Sequence, residues 1–136
     1  MLMAETLQIE VVTPDRLVQK DVAEEIQIPG KNGYLGILPG HAPLITELAV
    51  GEITYRVGTR VTRLAVAWGF AEVLPDKVTI LAERAEKADE IDVKRAEEAR
   101  QRAEERLHST STETDVERAL NALDRANARL DVAKRK

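Results

Sequence analysis

Every glycine, proline and aromatic residue of this chain lies between Pro14 and Asp76, and the sixty residues after Asp76 contain none. Glycine supplies left-handed or close-packed backbone and proline fixes φ and removes a donor, so these residues belong to turns and tight connections. A segment without them is free to run as helix. The chain is therefore expected to divide into a turn-rich β part and a helical part.

The first part reads as short strands. LQIEVV places Leu7, Ile9 and Val11 on one face, EEIQIPG places Ile26 and Ile28, and KVTILAE places Val78 and Ile80, the alternation of half-buried antiparallel strands. Val57, Gly58, Thr59 and Arg60 form a two-residue hairpin of type II′, and Leu74, Pro75, Asp76 and Lys77 form a second turn. Many short strands at close spacing imply a sandwich or barrel rather than a βαβ sheet.

After Glu83 the period changes. Val93, Ala96, Ala99, Ala103 and Leu107 make a narrow stripe on a first helix, with Asp92 as its N-cap. HSTSTETD interrupts it, the chain reverses near residue 111, and Thr114 with Glu117 reads as a capping box for a second helix. There Val116, Leu120, Leu123, Asn127 and Leu130 have the spacing of a coiled-coil seam with one polar member. The pairs Glu90 with Lys94 and Glu98 with Arg102 are spaced for contact along the first helix. Two helices joined by a short polar loop make an antiparallel hairpin, and an alanine stripe buries little area, so the hairpin holds only weakly to what it packs on.

Composition removes several function classes. The net charge is -4, against general affinity for nucleic acid. There is no cysteine, the only serines are Ser109 and Ser111, and the only histidines are His41 and His108, so thiolate zinc sites, His-rich metal sites and a Ser or Cys triad in the first hundred residues are excluded. No catalytic residue and no metal site is assigned. The longest apolar run, LAVAWGFA, is far short of the roughly 20 residues that cross a bilayer, so membrane association is expected only through a partner.

GYLGILPGHAPLITEL (residues 33–48), with VAWGFAEV and DEIDVKRA further on, resembles the epsilon subunit family of the bacterial-type F-type ATP synthase over essentially the whole chain. The resemblance implies a ten-stranded antiparallel β-sandwich (residues 1–86) that binds the rotor, followed by a two-helix hairpin (residues 87–136) that regulates. It implies a non-catalytic central-stalk subunit of a proton-translocating enzyme, peripheral on the cytoplasmic face of the bacterial cell membrane. The gamma subunit and the c ring are the implied partners of the sandwich, with Lys31, Asn32 and Tyr34 toward the c ring and His41 in the gamma-facing region. An extended hairpin would obstruct ATP hydrolysis by touching the catalytic beta and alpha subunits through Arg118, Arg125 and Arg129. The terminal Lys134, Arg135 and Lys136 also suit the negative end of the second helix. A free-standing sandwich adaptor for another helical partner, or a carboxylate-based enzyme, are the competing classes.

The resemblance also implies a regulatory ATP site and no required cofactor. Its motif stands here as Ile91, Asp92, Arg95 and Ala96, supported by Glu86, Arg102, Arg125 and Arg129. Magnesium is left open. Arg95 and Arg102 share a helix face, as do Arg125 and Arg129, and reversal near residue 111 sets Arg95 opposite residue 127. Four guanidiniums then crowd one end of the hairpin, where polyphosphate could hold them together unless neighbouring carboxylates already do. No phosphate-cradling glycine loop is present, so ATP would be sensed and not hydrolysed.

Overall fold

The computed structural model describes residues 6–109 and 112–135; the reversal near residue 111 and Lys136 lie outside the described residues. Seven strands form: β1 (Leu7–Val12), β2 (Leu17–Ala23), β3 (Glu25–Gly30), β4 (Gly33–Ile37), β5 (Leu44–Val57), β6 (Arg60–Val73) and β7 (Lys77–Lys87). A single turn of 3-10 helix (Ala88–Glu90) leads to α1 (Val93–Ser109) and α2 (Glu113–Lys134).

The strands join in one sheet, ordered β2-β1-β7-β6-β5-β3-β4. Neighbours are antiparallel except β1 and β7, which pair in parallel with Ile9 opposite Val78, so the sheet is not wholly antiparallel as expected. Both turns fall where the sequence places them. Gly58 has φ 59 between β5 and β6, and Leu74 and Lys77 exchange backbone hydrogen bonds.

The described residues hold seven strands, not ten. The reason is visible in which side of each long strand meets the core. In β6, Leu64 and Val66 point inward before Trp68, and Ala71 and Val73 after it; β5 switches parity between Leu48 and Ile53, and β7 between Ala82 and Ala85. Side chains alternate strictly along a regular strand, so each switch marks a bend or bulge. Three strands thus turn a corner without ending, and the sheet folds over one shared core. In β6 the corner is Trp68 at φ 57 and Gly69 at φ 112, and the ladders to β5 and β7 both skip Trp68.

The apolar run in β6 is covered on both faces. Leu64 and Val66 enter the sandwich core, whereas Ala65 packs outward with Ile91 and Val132 at the foot of the hairpin. Strands covered on both sides read as continuous apolar runs. Between the helices, Ala96 and Ala103 of α1 meet a face of α2 in which Ala119, Ala126 and Leu130 are buried. The seam differs from the expected one. Leu120 is 45% exposed and Asn127 faces outward, while Val116 and Leu123 are half-buried. Close approach of two helices favours small residues on the facing side, and the alanines take it.

Caps explain the helix starts. The Asp92 carboxylate accepts a hydrogen bond from the Arg95 N–H at 3.1 Å, as expected. For α2 the cap is Thr112, which accepts from the Asp115 N–H at 3.3 Å, and not the Thr114 pair with Glu117. Nor do the expected contacts along α1 form. Glu90 turns back to the Lys87 N–H and to Arg16, and Arg100, between Glu97 and Glu104, makes the ion pairs of α1.

Candidate ligand site between hairpin and sandwich

The site is built where the outer face of β6 and β7 meets both helices. Ala65 and Ala67 on β6 are too small to fill the space beneath the hairpin, and alanines at 99, 103, 122, 126 and 128 leave the helix side equally low. The result is a cavity of about 450 Å³, within the roughly 300–1,000 Å³ typical of small-molecule sites.

Its charged lining is six arginines and one carboxylate: Arg84 and Glu86 from β7, Arg95, Arg102 and Arg106 from α1, and Arg125 and Arg129 from α2. Arg129 is the compensated one. Its Nε lies 2.7 Å from Glu86 Oε1, and Nη2 donates to Oε2 at 3.4 Å. The Nε–H itself is buried and aimed at no acceptor, so charge more than direction holds the pair.

Elsewhere, the described arginines paired with carboxylates are Arg16, Arg56, Arg60, Arg63, Arg100 and Arg135. The chain has thirteen arginines. Of the six without such a pair among the described residues, five line this one cavity and Arg118 alone lies elsewhere, exposed on α2. Arg125 stacks over the Trp68 ring, 5.3 Å from its centroid. Burial first, and then the charge of Arg84, hold its guanidinium below the ordinary arginine value.

Five of the eight residues singled out for ATP, namely Glu86, Arg95, Arg102, Arg125 and Arg129, therefore share one cavity. The other three do local work. Ile91 is a buried plug against Ala65 and Val132, Asp92 caps α1, and Ala96 is a fully buried helix contact. Arg84, Arg106 and Trp68 were missed in the sequence. Two had a readable signal: Arg84 is two residues from Glu86 and so on the same face of β7, and Arg106 follows Arg102 by four on the same face of α1. With the hairpin docked, Arg125 and Arg129 point into the cavity, leaving Arg118 as the one of the three expected inhibitory contacts that faces solvent.

The residues expected at partner surfaces sit apart from this cavity. Lys31, Asn32 and Tyr34 are exposed at the β3–β4 turn, where Lys31 pairs with Glu47 at 3.1 Å. The Tyr34 hydroxyl accepts a hydrogen bond from the Glu52 N–H at 3.0 Å. Glu52, 8% exposed, in turn accepts from Arg63 at 2.7 Å and from Arg135, just past α2, at 3.1 Å. His41 lies in the β4–β5 turn, its N–H bonded to the Leu38 carbonyl and its ring Nδ1–H to the Ala42 carbonyl at 2.7 Å. These are turn contacts, and no nucleophile is among them.

The family described as ATP synthase, delta/epsilon chain, beta-sandwich domain matches residues 6–88, and its long alpha-helix domain matches residues 89–134. The chain belongs to the ATP synthase delta/epsilon chain family. Among relatives, it is 68% identical over 111 residues to the ATP synthase epsilon chain of Koribacter versatilis, covering 82% of this chain and 78% of that one. It is 48% identical over 133 residues to the epsilon chain of Syntrophobacter fumaroxidans, covering 98% and 99%. Among solved structures, a chain of the Euglena gracilis mitochondrial ATP synthase (OSCP/F1/c-ring, rotational state 1) superposes with a TM-score of 0.82 at 22% identity, covering 98% of this chain and 84% of that one. A chain of the Tetrahymena thermophila mitochondrial ATP synthase central stalk and c-ring gives 0.61 at 12% identity, covering 98% and 99%. At such identities these two likenesses show the fold alone. No described helix is long and apolar enough to cross a membrane.

Proposed function

We propose that the chain is a non-catalytic central-stalk subunit of a bacterial, proton-translocating ATP synthase, and that its hairpin senses ATP. Family membership supports the first part. In this reading the sandwich turns with the rotor on the cytoplasmic face of the membrane, bound to the gamma subunit and to the c ring. Phe70 of β6 lies opposite Leu81 of β7, and with Ile45 of β5 these residues are between 51% and 70% exposed, an apolar surface suited to gamma. The Lys31, Asn32 and Tyr34 tip faces the polar loops of the c ring.

The observation that carries the sensor is the cavity with five uncompensated guanidiniums. Arg125 is half-buried, and Arg84, Arg95, Arg102 and Arg106 stand exposed around the cavity. Like charges gathered there weaken the docked state, the more so at low salt, and a polyphosphate between them offsets that repulsion. ATP then favours the hairpin folded down. Without it the hairpin extends and meets the catalytic beta and alpha subunits, where Arg118, Arg125 and Arg129 face acidic surface and hydrolysis stops. Ile91 and Val132 are the larger buried anchors, each contributing roughly 1.5–3 kcal/mol, so the two arrangements differ by little enough for one ligand to decide. Calorimetric titration with ATP is expected to show saturable 1:1 binding that Arg95→Ala abolishes. Absence of binding up to millimolar ATP overturns the sensor.

A further inference from the structure

Arg84 stands on β7 opposite Ala67 of β6, on the face that carries the hairpin. Because Ala67 is small, the Arg84 side chain has an unobstructed course along the cavity wall. The sandwich contributes two charges to that wall, and one of them, Glu86, is committed to Arg129. Arg84 is the uncommitted one. It is close enough to Arg125 of α2 for its charge to be felt there, and Arg125 is packed against Trp68 instead of a carboxylate. The exposed Arg84 and the half-buried Arg125 thus stand on either side of the boundary between sandwich and hairpin, both lining the cavity and without an anion paired to either among the described residues.

We propose that Arg84 is a further anion-binding residue of this cavity, so that a bound polyphosphate bridges the sandwich to α2 as well as α1 to α2. The inference rests on the reading of the cavity as an ATP site. It changes what the ligand holds together: a site made by the helices alone would close the hairpin on itself, whereas one that includes Arg84 ties the closed hairpin to the rotor-bound sandwich.

The test is an ATP titration of the full chain, wild type against Arg84→Gln and Arg84→Lys, at low and high salt. Calorimetry gives Kd, and Trp68, the chain's single tryptophan, reports the movement of Arg125 by fluorescence. Arg84→Gln is expected to raise Kd about tenfold, the size of a lost charge-assisted contact. Arg84→Lys recovers part of the loss, since a point charge replaces a fork. The gap between wild type and Arg84→Gln narrows as salt screens the contact, which a merely structural defect would not do. Equal Kd for wild type and Arg84→Gln overturns the role of Arg84 and leaves the ATP site standing. A loss that Arg84→Lys does not recover and salt does not narrow also overturns it. A wild type that binds no ATP overturns both.

Discussion

A methyl group on Gly69 would lie 2.0 Å from the Leu81 carbonyl oxygen, and the residue's φ of +112 is one that L side chains rarely adopt. Both obstacles arise because β6 turns its corner here, one residue after Trp68 takes a positive φ of its own. That corner exposes the Trp68 ring to Arg125, so a backbone feature of the sandwich fixes a side chain of the cavity. Gly69→Ala is accordingly expected to destabilise the sandwich by at least about 1–3 kcal/mol, read as a lower urea midpoint with an unchanged m-value. The motif of Ile91, Asp92, Arg95 and Ala96 shows the same division of labour within four residues. Ile91 docks against the sandwich, Asp92 and Ala96 build the start of α1, and Arg95 lines the cavity.

Among elements, the hairpin is attached by charge at both of its ends. At the entry, the turn Ala88–Glu90 is fixed by Glu90, which takes the Lys87 N–H at 3.1 Å and two contacts from Arg16 of the β1–β2 loop at 3.1 and 3.2 Å. At the exit, Arg135 reaches Glu52 on β5. Burial pushes the Glu90 carboxyl up, but the Lys87 N–H and the Arg16 guanidinium together outweigh it and hold the group below its ordinary value of 4.5. A carboxyl lowered in the folded state contributes stability above its unfolded value and loses it as pH falls through the folded one. The entry should therefore loosen below about pH 4.5, seen by Trp68 fluorescence as hairpin release, and Glu90→Gln should release it with a weaker pH dependence in that range.

For the whole molecule, the sequence made the division into β part and helical hairpin legible because glycine, proline and aromatic residues stop together before Lys77. The inward faces of β1, β3 and β7 were legible from alternation at Leu7, Ile26 and Val78. Strand number was not, because a corner such as Trp68–Gly69 leaves no break in an apolar run. The seam of α2 was misread because leucine is conspicuous and alanine is not; Asn127 faces outward and Ala126 inward. In the cavity, arginines sharing a helix face could be counted and Arg84 could be placed on the face of Glu86, whereas the packing of Trp68 against Arg125 needed the docking of two layers that no periodicity encodes. ATP is expected to hold the hairpin against the sandwich. Since the chain has no cysteine, Gln27→Cys and Asn127→Cys, exposed positions that line one cleft between β3 and α2, give a unique labelled pair. The decisive measurement is the spin-label distance distribution of that pair with and without ATP. A single short distance is expected with ATP, joined by a long population when ATP is removed; the same distribution in both conditions would mean that ATP does not hold the hairpin down.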